Sequence, residues 1–263
     1  MPGKSPVIVS RRILGIITVA LSLPAASPAA ESARRSEPAF SLELEAGTVW
    51  QSRNVVQIPN DPGGTRFSLE DLVGSGPWPV ARVYVNWNPK ERHGLRLVLA
   101  PLSYTETGVF DDAVNFAGAT YQPGVSTQAT YKFNSWRIGY RYRFHHGERW
   151  TWWVGGTANI RDAKIELLQG DTASRDTDVG FVPLLYFSGT VKLAPGWRIL
   201  FDFEGLAGGP GRIEDLALKV AYDFSERWSV TGGYRTVEGG ADVDEVYNFA
   251  WFNAAVVSGV CRF

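Results

Sequence analysis

Beyond residue 39 the chain alternates. Apolar and aromatic side chains recur at every second position, run after run, and no segment keeps a helical period through several turns. Successive side chains on a strand point to opposite faces, so strict alternation marks strands whose two faces meet different surroundings. Over 40–50, Phe40, Leu42, Leu44, Ala46 and Trp50 alternate with Ser41, Glu43 and Glu45. Over 135–144, Trp136, Ile138, Tyr140, Tyr142 and Phe144 alternate with Ser135, Arg137, Gly139, Arg141 and Arg143. The same pattern holds at 81–88, 197–203 and 215–224, and further runs lie at 95–104, 150–161, 181–193, 228–237 and 247–263. That makes about ten strands, each near the ~9–11 residues that a tilted strand needs to cross a bilayer.

A soluble sandwich or lipocalin-like barrel alternates equally well, and two observations argue against it. Trp50, Trp87, Trp136, Phe144, Trp150, Trp197, Trp228 and Phe263 fall at strand ends on the apolar face, where a membrane barrel carries its interfacial girdles. The opposite face carries guanidinium or carboxylate groups in nearly every strand, which a dry soluble core does not take. The connections also sort into two kinds. Tight ones lie at 88–94, 145–148, 194–196 and 225–227; the alternate ones, at 52–79, 105–129, 162–179, 206–213 and 238–246, are mostly longer and rich in Gly, Pro, Asp and Thr. Outer-membrane barrels are wired this way, with turns in the periplasm and loops outside. The expected fold is all-β: one antiparallel transmembrane β-barrel of about ten strands over 39–263, in the outer membrane of a Gram-negative cell.

The N-terminus reads as an address. Lys4, Arg11 and Arg12 precede an uncharged, mostly apolar run at 13–23, and small residues follow to Ala30. This pattern predicts a secretory signal peptide over 1–29 and a short periplasmic leader over 30–38. Composition then removes several classes of function. With 26 Lys and Arg against 27 Asp and Glu, the chain lacks the basic surface that nucleic-acid binding needs. One cysteine excludes an internal disulfide framework, and three histidines leave little room for a histidine-rich metal centre. No metal and no cofactor are expected.

The chain closes with Ala255-Val-Val-Ser-Gly-Val-Cys-Arg-Phe263, which resembles the final strand of Gram-negative outer-membrane barrels, alternating and ending in an aromatic. The resemblance implies that the barrel assembly machinery reads this strand, with Val257 and Phe263 as recognition positions. Cys261 departs from the pattern, since a large residue is usual there. The ten-strand layout also resembles that of the omptin proteases, which activate water with an Asp–His pair and a carboxylate pair at the extracellular rim. Here His93, His145 and His146 all fall in tight turns, on the opposite side, so Asp111 and Asp112 in a long loop have no histidine partner. A nucleophile needs its base within hydrogen-bond reach. By this topology no serine has a histidine near it, unlike the His/Ser sites of outer-membrane phospholipases, deacylases and palmitoyltransferases. The expectation is a protein that is not an enzyme.

The charges on the inner face are the candidate site. Arg82, Arg96, Arg137, Arg141, Arg143, Arg198, Lys219 and Arg235 share that face with Glu43, Glu45, Asp202, Glu204, Asp215 and Asp223. The two signs occur in similar numbers, and a ten-stranded lumen is only a little wider than the eight-stranded kind that side chains fill. A salt-bridge network that closes the barrel is therefore expected, leaving a surface scaffold or binder. The alternative is a narrow small-solute channel with anion preference, lined by Arg137, Arg141 and Arg143 on one strand. Glu43 and Glu45 are expected to meet cations of the second and last strands. The acidic loops, including Asp242, Asp244 and Glu245, lack the spacing of a calcium loop and read as solvated surface among outer-membrane lipid and lipopolysaccharide.

Overall fold

A computed structural model describes residues 38–263; the signal-peptide region and nearly all of the expected leader lie outside the described residues. In chain order the elements are β1 (Phe40–Gln57), β2 (Phe67–Ser68), α1 (Leu69–Val73), β3 (Trp78–Lys90), β4 (His93–Ala100) and β5 (Ser103–Val109). Then come β6 (Val114–Phe116), β7 (Ala119–Tyr121), β8 (Ser126–His146), β9 (Trp150–Gln169) and β10 (Thr172–Ala194). The last four are β11 (Trp197–Gly208), β12 (Gly211–Asp223), β13 (Trp228–Asp242) and β14 (Tyr247–Arg262). The sheet runs β1-β3-β4-β8-β9-β10-β11-β12-β13-β14, each pair antiparallel, and β14 returns to β1 from Ser41↔Arg262 to Gln57↔Tyr247. β5 continues β4 along β8 after a break at Pro101 and Leu102, so the two form one stave and the closed barrel has ten.

Exposure identifies the solvent around this barrel. Leu44, Ile138 and Leu218 are 56%, 60% and 57% exposed, whereas their strand neighbours Glu45, Arg137 and Lys219 are 3%, 3% and 5% exposed. Apolar side chains outside and charges inside is the arrangement that hydrocarbon selects. Trp87, Phe144, Trp150, Trp197, Trp228 and Phe263 are all exposed at the end that carries the tight turns and the strand termini. Toward the other end Trp50 lies 6.2 Å from Tyr234, ring to ring, with Trp251 exposed. Trp136 is not at a strand end, because β8 runs on to Ser126.

The outer ends depart from the sequence reading. Much of 162–179 is no loop: β9 and β10 stay paired up to Thr172↔Gln169, and the turn there uses Gly170 at φ +57°. Likewise 105–129 contains the rest of β5, the β6–β7 hairpin and the start of β8. Above the lipid the outer face meets water, so apolar alternation stops while the backbone ladder continues. In β1 a bulge between Gln51 and Arg53 changes which positions face inward, so that Asn54 and Val56 join Val49 and Gln51 in the buried set.

The two longest connections turn into the mouth. Ser68 caps α1 by accepting a hydrogen bond from the Asp71 amide at 3.1 Å, and Leu69 and Leu72 of this single turn are buried. The helix seats directly on β5: a Cβ on Gly108 would stand 1.6 Å from the Leu72 carbonyl oxygen, so only glycine fits. From the other connection Phe110, Val114, Phe116 and Tyr121 join the same apolar cluster. Phe67 packs edge-on against Phe110 and Phe116, at 5.3 and 5.9 Å.

Candidate functional site

Aromatic rings lie beneath the apolar cap. Trp78 stacks on Tyr104 at 3.9 Å, Tyr104 on Tyr131 at 5.6 Å, and Tyr131 meets Phe252 at 5.5 Å, a row of rings from β3, β5, β8 and β14. Polar groups in this layer bond to one another: the Tyr104 hydroxyl donates to Gln51 Oε1 at 2.8 Å, and Asn54 Nδ2 donates to the same Gln51 oxygen at 3.1 Å. Next toward the turns lies a cavity of about 40 Å³, walled by residues including Val49, Val80, Leu102, Phe133, Phe252 and Val256. On the scale where one water needs about 10–15 Å³, this holds a few waters and no larger solute. Arg82, Arg137, Arg235 and Glu45 also line it.

Those four groups belong to a layer of ion pairs that spans the barrel. Asp215 of β12 receives Arg82 of β3 at 2.7 Å, Arg137 of β8 at 2.9 Å and Arg235 of the neighbouring β13. Arg137 also reaches Glu204 of β11 at 2.6 Å, whose other oxygen accepts from Thr157 at 2.7 Å. Lys219 of β12 holds both Glu43 and Glu45 of β1, at 2.6 and 2.7 Å. Glu45 receives Arg235 at 3.2 Å, and the Tyr84 hydroxyl accepts from Arg235 at 2.8 Å while donating to Glu45 at 3.2 Å. Arg96 of β4 grips Asp202 of β11 through two bonds of 2.7 and 3.1 Å, with its guanidinium about 5 Å from the Tyr84 and Tyr186 ring centres. Five cations therefore face five carboxylates: Arg82, Arg96, Arg137, Lys219 and Arg235 with Glu43, Glu45, Asp202, Glu204 and Asp215.

The remaining candidates lie nearer the turns. Arg198 forms a bidentate pair with Asp223 at 2.7 and 2.9 Å, and Arg262 joins that carboxylate at 3.2 Å. Arg143 reaches Glu91 at 3.4 Å. Arg141 donates to Asn88 at 2.8 Å and lies 4.5 Å from the Trp153 ring centre. Arg137, Arg141 and Arg143 thus share a strand but do not act together. Arg137 belongs to the ion-pair layer, and Arg141 and Arg143 lie nearer the turns.

Glu45 does meet Arg82 of the second stave, but only at 4.0 Å; its short contacts come from β12 and β13 and not from the last strand. Tight antiparallel register places those strands' cations opposite β1, which strand order alone does not give. Tyr84, Glu91 and Arg262 join the network without being marked by the sequence pattern of charges. Tyr84 alternates in phase with Arg82, so its inward direction is readable, and only its lack of charge hides it. Val257 faces out at 53% exposed, and the Phe263 amide donates to the Phe40 carbonyl at 2.9 Å, completing closure. The histidines lie at the turn end, where His93 Nδ1 is 2.7 Å from the Tyr140 hydroxyl and His146 Nδ1 is 3.1 Å from Thr151 Oγ1. Among the described residues no His, Cys, Asp and Glu cluster has the arrangement to hold a metal.

A closed antiparallel barrel with an apolar outer belt, aromatic girdles and an ionic interior defines the class: the chain is a single-chain β-barrel protein of the Gram-negative outer membrane. Solved structures of similar shape include the outer membrane protease OmpT from Escherichia coli, 9% identical, with 89% of this chain and 100% of that one covered and a TM-score of 0.51. Neisserial surface protein A is 14% identical over 86% of this chain and 97% of its own, with a TM-score of 0.40. An outer membrane channel from Pseudomonas putida F1 is 10% identical over 91% and 100%, with a TM-score of 0.43. At these identities the likeness concerns the fold alone. No protein-family model and no curated protein sequence matches the chain.

Proposed function

We propose that the protein is a non-enzymatic surface scaffold or binder whose barrel does not conduct solutes along its axis. The observation that carries this reading is the ion-pair layer, in which each lumenal cation at the level of Asp215 already holds a carboxylate. A solute crossing it must break buried pairs, and separating one such pair costs about 3–5 kcal/mol. A neutral layer also lacks the single-sign field that gives a channel its selectivity. The outer hairpins, standing above the bilayer, are then the surface offered to a partner, among lipopolysaccharide headgroups. Val257 and Phe263 serve as the assembly signal. The second reading, an anion-preferring channel, draws its support from Arg141, Arg143, Arg198 and Arg262 at the turn end, where Glu91 and Asp223 are the paired carboxylates.

Single-channel recording of the refolded mature chain in a planar bilayer separates the two. A silent bilayer, with heat-modifiable migration showing a folded barrel, is the expected outcome. Discrete anion-selective steps that vanish on replacing Arg137, Arg141 and Arg143 would establish the channel instead.

A further inference from the structure

One seam of the barrel is only half zipped. β3 and β4 are paired from Lys90↔His93 to Val83↔Leu99, and there the ladder stops. The outer part of β3, from Trp78 to Arg82, keeps partners on β1 alone up to Val49↔Trp78, and β5 keeps partners on β8 alone. Pro79 lies on β3 beyond its last pair with β4, and Pro101 in the break between β4 and β5; proline, having no amide hydrogen, is tolerated in sheets chiefly at such edges. What spans the gap is side chain. The Trp78 ring stacks on Tyr104 at 3.9 Å with 5° between planes, and its indole nitrogen donates to Glu106 at 2.9 Å. Helix α1 packs against β5 above them.

The cavity lies directly behind this seam. Val80 and Arg82 line it from one edge, Ala100, Pro101 and Leu102 from the other, and Val256 from β14, two staves beyond β3. On the outer surface the seam begins where Leu99 and Val83 give way to Pro101, Ser103 and Thr105, and where β8 changes from Trp136 to Asn134 and Lys132. That change from apolar to polar places the opening at the interface of the outer leaflet. Both axial routes to the cavity are obstructed, by the apolar cap on one side and the ion pairs on the other.

We propose that the β3–β5 seam is a lateral portal, latched by Trp78, through which an alkyl or acyl chain passes from the outer-leaflet interface into the lumenal cavity. This rests on the axially closed barrel argued above and adds a route and a ligand class to it. The walls suit the chain: apolar side chains surround the space and the polar groups are gathered at its floor. The cavity at rest holds only a few waters, so entry requires the seam to part: the Trp78 indole, which stands on the seam in the apolar cluster next to the cavity, is displaced, and its stack and single hydrogen bond are weak bonds beside a backbone ladder.

The test uses the mature chain in phospholipid vesicles with Cys261→Ser removing the native thiol and Val256→Cys reporting from the cavity wall; Phe133→Cys replaces the reporter if Val256→Cys does not fold. Two reagents are compared, dodecyl maleimide in the bilayer and a charged, membrane-impermeant thiosulfonate in water. The expected result is labelling by the dodecyl reagent over the charged one. Trp78→Ala should speed it roughly 10-fold, the change in open population from losing the stack and its bond, with Trp78→Phe in between. No labelling by either reagent, with Trp78→Ala as without it, overturns the portal and leaves the closed barrel standing. Faster labelling by the charged reagent means water enters along the axis, which overturns the closed barrel as well.

Discussion

Asp215→Asn removes one charge from the most connected point of the lumen. Asp215 is 1% exposed and holds Arg82 at 2.7 Å, Arg137 at 2.9 Å and Arg235. Asparagine keeps the shape and one acceptor oxygen, so packing is barely altered. What changes is the balance: five cations then face four carboxylates, and Arg82 loses its short ionic partner, since Glu45 lies 4.0 Å away. Uncompensated buried charge costs about 3–5 kcal/mol, which lowers the folded-to-unfolded ratio by roughly a hundred- to several-thousand-fold. Urea titration of the chain folded in phospholipid vesicles, followed by tryptophan fluorescence, measures this. Arg212→Ala is the control, because the Arg212–Glu238 pair lies at the loop end with the arginine side chain 40% exposed and is worth at most about 1 kcal/mol. Adding Arg235→Gln to Asp215→Asn should recover part of the loss, as groups in one network are not additive. If Asp215→Asn costs no more than Arg212→Ala, the lumenal charges are hydrated individually and the layer is not closed.

Leu72→Asp puts a carboxylate into the apolar cap, and α1 should leave its seat on Gly108. Protease should then cut within 58–77 in intact vesicles while the bilayer stays silent; conductance in this variant would show that the cap, not the ion-pair layer, closes the barrel. Phe263→Ala should lower the amount of folded barrel in the outer membrane several-fold in cells, with refolding of the purified chain in detergent much less affected. Equal defects in both would assign Phe263 a packing role against Phe40, 5.8 Å away, in place of a recognition role.

The ten staves and the direction of their side chains are legible in the sequence because lipid imposes the alternation: Leu44 and Glu45 must part ways wherever hydrocarbon meets one face. Outside the lipid that constraint lapses, which is why the paired hairpin through 162–179 reads as loop. The bulge at Ser52 is a matter of register with β14, visible only once Gln51↔Phe252 and Arg53↔Trp251 are known. The lumenal charges can be assigned to a face from the sequence, but not to partners. Arg82 and Asp215 stand 133 residues apart and meet across the lumen because closure and strand stagger bring β3 opposite β12. The cap leaves a small trace, Ser68 three residues before Asp71 with Leu69 and Leu72 on one side of a turn, too short to read as a helix without the mouth beneath it. The half-zipped seam leaves two prolines, whose meaning depends on their being brought onto neighbouring staves.

If the barrel is closed as proposed, its lumenal guanidinium groups are already held by carboxylates. Side-chain NMR of the refolded, isotope-labelled chain tests this most directly, by the hydrogen exchange of the guanidinium groups of Arg82, Arg137 and Arg235 and their proximity to carboxyl carbons. The expected result is exchange far slower than for free arginine, with through-space contacts from Arg137 to both Glu204 and Asp215, matching separations of 2.6 and 2.9 Å. Guanidinium protons exchanging as fast as those of free arginine, with no carboxyl carbon nearby, would mean a hydrated lumen and contradict it.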